Sequence, residues 1–167
     1  MVTSMPDPHS KNLRLHRLQD VSSTFFVPKS LRPKKPVFGP ELRPTIVDAF
    51  EFAVQRERIY LKAFVVMPDH WHALIGLREP WTLPRFMHSF MSHVAARTSA
   101  HLTKNQTAWQ EGYYETLIKT ARQFTYVAIY IENPVKKGFV TSPPEWAESS
   151  ANRRDLITEP WPWVFDS

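Results

Sequence analysis

Two imidazoles one residue apart, His70 and His72, lie between apolar runs in Phe64-Val65-Val66-Met67-Pro68-Asp69-His70-Trp71-His72-Ala73-Leu74-Ile75-Gly76-Leu77. On an extended strand, side chains two apart point to the same face, so both rings can reach one cation while Trp71 packs on the opposite side. The spacing alone is weak evidence: with seven His in 167 residues, chance supplies roughly 0.3 such pairs if positions are independent. The flanking residues add the specificity. Pro68 fixes one dihedral and Asp69 favours a tight turn, so one strand runs in, the chain turns, and a second strand begins with the His pair. Partly buried rings need partners to offset their desolvation. Those partners are either a bound cation or hydrogen bonds from neighbouring groups at the rim of a core.

Elements of alternating type must position this pair. Ser23-Thr24-Phe25-Phe26-Val27 reads as a first strand stopped by Pro28, and the Pro-, Lys- and Arg-bearing residues 29–40 read as an exposed basic loop. Ile46, Ala49, Phe50 and Ala53 recur at helical spacing and predict a helix over 45–55. Residues 60–67 and 70–77 predict the hairpin, closed by Glu79-Pro80. A second, longer helix is expected over 83–102, where Phe86, Met87, Phe90, Met91, Val94 and Ala95 form an apolar stripe that belongs to a core rather than to a cofactor. His88, His93 and His101 fall outside it as surface or rim residues. Residues 109–118 read as a loop running into a strand, and 122–132 as a third helix broken at Asn133-Pro134. This order fits an α+β sandwich in which helices pack against an antiparallel sheet.

Length and composition narrow the function classes. The 167 residues fit one domain with a sizeable core, 43% of them are hydrophobic, and no apolar run is long enough to cross a membrane. With no cysteine, disulfides and thiolate-held zinc or iron-sulfur clusters are excluded. Residues 1–11 show neither the apolar run nor the cleavage pattern of a secretory signal, so a cytoplasmic protein is expected. The expected organisation is a mobile arm over 1–20, a single domain over 21–150, and a Trp-rich tail over 151–167. Trp161-Pro162-Trp163-Val164-Phe165 in that tail should dock on the domain or on a partner. The net charge is +5. Lys29, Arg32, Lys34 and Lys35 cluster early, Lys136 and Lys137 follow the third helix, and Arg97 lies off the apolar stripe of the second. Such groups suit phosphates, although a moderately basic soluble surface has the same look. The six Trp add surfaces for stacking unpaired bases, with most of them expected in the core.

Three blocks carry a family resemblance: Met67-Pro68-Asp69-His70-Trp71-His72-Ala73-Leu74, then Trp109-Gln110-Glu111-Gly112-Tyr113-Tyr114-Glu115, then Tyr130-Ile131-Glu132-Asn133-Pro134-Val135-Lys136-Lys137-Gly138-Phe139-Val140. In this order they resemble the single-tyrosine HUH transposases, and within them the REP-associated tyrosine transposases. Glu145-Trp146 and Ser149-Ser150 echo the closing segment of that group. The resemblance implies a ferredoxin-like HUH fold and makes His70 and His72 metal ligands, with Asn133 the candidate third. The cation would be magnesium or manganese. It also implies a tyrosine nucleophile that attacks a DNA phosphodiester, leaving a 5′-phosphotyrosine and a free 3′-hydroxyl, on single-stranded, hairpin-bearing DNA. A chain of this type is expected to act near the nucleoid, as a monomer or a homodimer.

One departure bears on the nucleophile. The family places its Tyr four residues before the Asn of Asn-Pro, and here that position is Ile129; Tyr130 lies three before Asn133 and Tyr126 seven before it. On an ideal helix all these spacings bring side chains near one face. Tyr130 keeps the wording of the motif with one residue lost, and Tyr126 is the rival. A phenol is a poor nucleophile below its pKa of about 10, so orientation and charge neutralisation must assist it. Gln110 and Glu115 are candidates for orienting the metal or the DNA from behind. Each residue also has a plain structural role open to it: Tyr130 and Tyr126 as packing aromatics, Asn133 as a cap, Lys136 and Lys137 as solvated charges. Two other functions stay open, a hairpin-binding protein that does not cut and a hydrolytic phosphodiesterase in which water attacks. Neutral imidazoles are required for cation binding, so activity should fade as pH falls through roughly 6 to 6.5.

Overall fold

A computed structural model describes residues 24–31, 42–98, 109–128 and 133–158 of the chain. The elements are β1 (Thr24–Ser30), α1 (Arg43–Gln55), β2 (Ile59–Val66), β3 (His70–Leu77), α2 (Leu83–Thr98), β4 (Thr116–Ile118), α3 (Ala121–Ala128) and the single turn α4 (Asn133–Lys136). The strands form one antiparallel sheet in the order β2-β3-β1-β4. A β-α-β-β-α-β chain with this order is the ferredoxin-like sandwich.

Side-chain alternation divides the core between the two faces of the sheet. On one face Phe25, Val27, Leu61, Phe64, Val66, Trp71, Ala73 and Ile75 meet α1 through Ile46, Phe50 and Ala53, and α2 through Phe86, Met87, Phe90 and Val94. Phe50 sits at the centre, with ring centroids 5.4 Å from Phe64, 5.4 Å from Trp71 and 4.7 Å from Phe90. The other face carries a smaller cluster of Phe26, Ala63, Leu74 and Ile118, covered by Phe124 and Val127 of α3.

Local chemistry fixes the element ends. Pro44 falls in the first turn of α1, where a missing N–H costs nothing. The helix stops at Glu57, whose φ is 54°, while the Arg58 N–H donates to the Ala53 carbonyl at 3.0 Å and the Glu57 N–H to that of Val54 at 3.0 Å. That pairing satisfies carbonyls the last turn would otherwise leave open. Pro68 and Asp69 connect β2 to β3 as a two-residue turn, with the Met67 N–H on the His70 carbonyl at 2.7 Å.

Two expectations need correction. Pro28 does not stop β1: the strand continues to Ser30, and Pro28 pairs with His72. β4 pairs only with Thr24, Phe25 and Phe26, so Pro28 lies where the strand has a single full neighbour, which is where a residue lacking an N–H is tolerated. Lys29 is not part of an exposed loop; it is 7% exposed, and its ammonium donates to the carbonyls of Gln110 and Gly112. Asn133 and Pro134 lie in the helical turn α4, and the Lys137 N–H bonds the Asn133 carbonyl at 2.9 Å. Packed structure continues past residue 150. Leu156 is buried in the main core, and the Thr158 N–H reaches the Leu61 carbonyl at 3.1 Å. The expected arm, the loop residues 32–40 and the Trp161 to Phe165 stretch lie outside the described residues.

The outer edge of β2 is closed by the chain itself. The Val66 N–H donates to the Glu148 carbonyl at 2.9 Å, Ser149 bridges Val65, and the Ser150 N–H donates to the Phe64 carbonyl at 2.9 Å. The Trp146 indole N–H binds the Val66 carbonyl at 2.9 Å.

Candidate functional site

The His pair opens β3 on the sheet face covered by α3. Trp71, between them, is fully buried on the two-helix side, so alternation turns both imidazoles to the opposite side. Their ring centroids lie 4.5 Å apart at an interplanar angle of 73°. Asp69 Oδ1 accepts from His70 Nδ1 at 2.6 Å. A proton donated from Nδ1 to this carboxylate puts the ring's lone pair on Nε2, the arrangement by which a carboxylate prepares an imidazole for a cation. His72 stacks on Phe26 with centroids 5.4 Å apart and an 18° tilt. Burial foremost, and then the neighbouring His70, push its pKa down to about 3, while Asp69 opposes this weakly. His72 is therefore a neutral ring with a lone pair to give across the neutral pH range.

A small cavity beside His72 is lined by Phe26, Ala63, Val65, Leu74 and Val127. Val127 comes from α3, so the helix leading toward the tyrosine motif packs on the imidazole face. Tyr126, one residue earlier, points away and is 59% exposed. That follows from helical spacing, because Phe124 and Val127 take the sheet side and the residue two after Phe124 is rotated off it. Tyr130 lies outside the described residues, as do Lys34 and Lys35.

Of the remaining candidates, Asn133 is half-buried in α4, Lys136 is exposed at the end of that turn, and Lys137 is exposed just after it. Gln110 is exposed, and register fixes its side: Leu31 bridges Trp109, Trp109 packs on the two-helix core, and the Gln110 N–H donates to the Ser30 carbonyl at 3.0 Å. Gln110 therefore shares the face of Ser30, which pairs with His70. It stands two strand spacings, about 9–10 Å, from that histidine. Glu115 is 2% exposed at the lead into β4. Arg97 belongs to the other layer: it sits on α2, across the sheet from the imidazoles, with its guanidinium 3.1 Å from His93 Nδ1.

Two imidazoles and an amide oxygen are a borderline donor set, suited to a divalent cation that keeps positions open for phosphate oxygens. The paired rings and the neutral state of His72 fit that use. Among the described residues, no third His, Cys, Asp or Glu joins them in a three-member group, so further protein ligands must be of another type or lie elsewhere. Asp69 is the site residue that sequence reasoning passed over. Its turn role hid its contact with His70, although an acid directly before a histidine pair was a signal on the page.

The family described as "Transposase IS200 like" matches residues 26–134, well over half of the chain. A REP-associated tyrosine transposase solved bound to a REP hairpin shares the fold with a TM-score of 0.66 and 19% identity, covering 84% of this chain and 87% of that one. A crystal structure of a candidate transposase from Deinococcus radiodurans matches with a TM-score of 0.50 and 22% identity, over 66% of this chain and 88% of that one. No curated protein matches the chain. No helix among the described residues is long and apolar enough to cross a membrane.

Proposed function

The chain belongs to the IS200-like transposase family, and on that premise we propose that it cuts and rejoins single-stranded, hairpin-bearing DNA through a covalent tyrosyl intermediate. The observation that carries this reading is the cavity shared by His72 and Val127, because it puts the helix that leads toward Tyr130 on the imidazole face. The structural relative solved with a REP hairpin supports hairpin DNA as the substrate class.

His70 and His72 hold the divalent cation with Asn133, and Asp69 keeps the His70 ring in the tautomer that presents Nε2. Bound there, magnesium or manganese supplies charge neutralisation and a template for the phosphate oxygens. Tyr130 provides the nucleophile. Its phenolic oxygen, giving its proton to water, forms a bond to phosphorus as the bond to the 3′ oxygen breaks, and that oxygen takes a proton from water and leaves as the 3′-hydroxyl. Attack by another 3′-hydroxyl reverses the step and joins strands without an external energy source. Lys136 and Lys137 neutralise flanking phosphates, while Gln110, on the same face as the His pair, contacts the strand.

The test is a denaturant-resistant protein-DNA adduct, formed with a labelled hairpin oligonucleotide and manganese. Wild type and Tyr126→Phe should give the band, whereas Tyr130→Phe, His70→Ala and His72→Ala should not. Cleavage without an adduct would instead support water as the nucleophile. Hairpin binding with no cleavage would support a binding protein, the outcome favoured by the one-residue displacement of Tyr130 from the family spacing.

A further inference from the structure

Phe139 leaves half of its surface exposed. Its inner face stacks on Trp146 with centroids 5.5 Å apart and a 22° tilt. Trp146 is itself fixed: its indole N–H bonds the Val66 carbonyl at 2.9 Å, it packs on Val65 and Met67, and the Arg43 guanidinium lies 4.6 Å from its ring centroid. Glu148 holds Arg43 in turn, at 3.4 Å. Arg43, Trp146 and Phe139 thus form a rigid series of flat groups that ends in an open aromatic face.

This platform is beside the imidazoles. Val65 pairs with His72 and so projects to the same face, and Met67 joins it two residues on. Trp146 therefore lies over positions one strand spacing, about 4.8 Å, from the His pair. Lys136 and Lys137 are exposed three and two residues before Phe139, and the chain turns between Lys137 and Phe139 at Gly138, whose φ is 76°. The combination of a pre-stacked aromatic face, adjacent cations and a neighbouring phosphate-directed site has the chemistry of a nucleotide: a planar base on the ring, its phosphate on the lysines.

We propose that Phe139 is the stacking platform for an unpaired base of the DNA strand lying in the imidazole site. The proposal rests on the DNA-processing reading above for the identity of the ligand, but not on any chemical step. Phe139 acts as a positioning residue: it fixes one base and thereby the phosphate beside it. Because every base has a π face, the contact is tolerant of sequence. The backing by Trp146 and Arg43 means that little side-chain freedom is lost on binding.

The experiment measures affinity for a single-stranded twelve-mer of thymidylate and for the same backbone with abasic sites, using the full chain with and without manganese. Wild type should bind the base-bearing strand more tightly. Phe139→Ala should weaken that binding by about 5- to 150-fold and leave the abasic strand unaffected. Phe139→Trp and Phe139→Tyr should restore it. The idea is overturned if wild type does not distinguish the two strands, if Phe139→Ala binds both as wild type does, or if it loses affinity for both equally, as a purely structural residue would. Failure here with an adduct still formed would leave the cleavage reading standing. Retained stacking without any adduct would refute the tyrosyl intermediate and keep the platform.

Discussion

His72 shows how a single half-buried ring couples stability to pH. Its pKa is lowered to about 3 in the folded protein, chiefly by burial, from an ordinary value of 6.5. Between these values the unfolded chain takes up the proton and the folded chain does not, so stability is fully present above about 6.5 and is lost as pH falls toward about 3. Urea midpoints of the cation-free protein at about pH 7.5 and about pH 4.5 should therefore differ, and His72→Gln should shrink the difference. Lys29 is a buried polar group, with a pKa lowered by desolvation. Its ammonium ties the 109–112 segment to β1 through two carbonyls, so Lys29→Met should cost about 1–3 kcal/mol and speed amide exchange at Gln110. The His pair was legible in the sequence because a period of two is a local rule. The burial of Lys29 was not, because its acceptors lie 81 and 83 residues away and nothing near Lys29 announces them. The adjacent Pro28 even argued for a loop, and only the shortness of β4 explains why it does not make one.

At the scale of elements, α1 and α2 were readable because each presents apolar residues at three- and four-residue spacing, and the structure buries those stripes. Their convergence on Phe50 makes this residue the sensitive point of the layer. Phe50→Ala removes contacts with Phe64, Trp71 and Phe90 at once and should cost about 3–5 kcal/mol, read as a lower urea midpoint with an unchanged slope. Because Trp71 stands between the two histidines, the same substitution should also loosen the start of β3 and reduce affinity for manganese. α3 is the contrasting element. Its eight described residues bury Phe124 and leave Tyr126 exposed, so its orientation follows from two side chains meeting a sheet that a sequence alone does not locate. Period identified it as a helix; the identity of its inward face needed Leu74 and Ala63, which arrive from the hairpin.

For the molecule as a whole, the sheet divides labour between its faces. One carries the two-helix core, and the other carries the imidazoles, the α3 cover and the Trp146 strap. The strap was visible in the sequence only as Glu145-Trp146 and Ser149-Ser150, two short echoes without a stated partner, since the carbonyl that receives the Trp146 indole belongs to a residue 80 positions earlier. A chain ending before Trp146 would bare the outer edge of β2 and should self-associate, seen as a rise in light scattering that the full chain does not show. This arrangement also sets a schedule. β2 leaves the ribosome long before the segment that will seal it, so the nascent protein spends the synthesis of the intervening residues with an adhesive margin uncovered. Slow translation after β3 would lengthen that interval, and chaperone demand should rise with it.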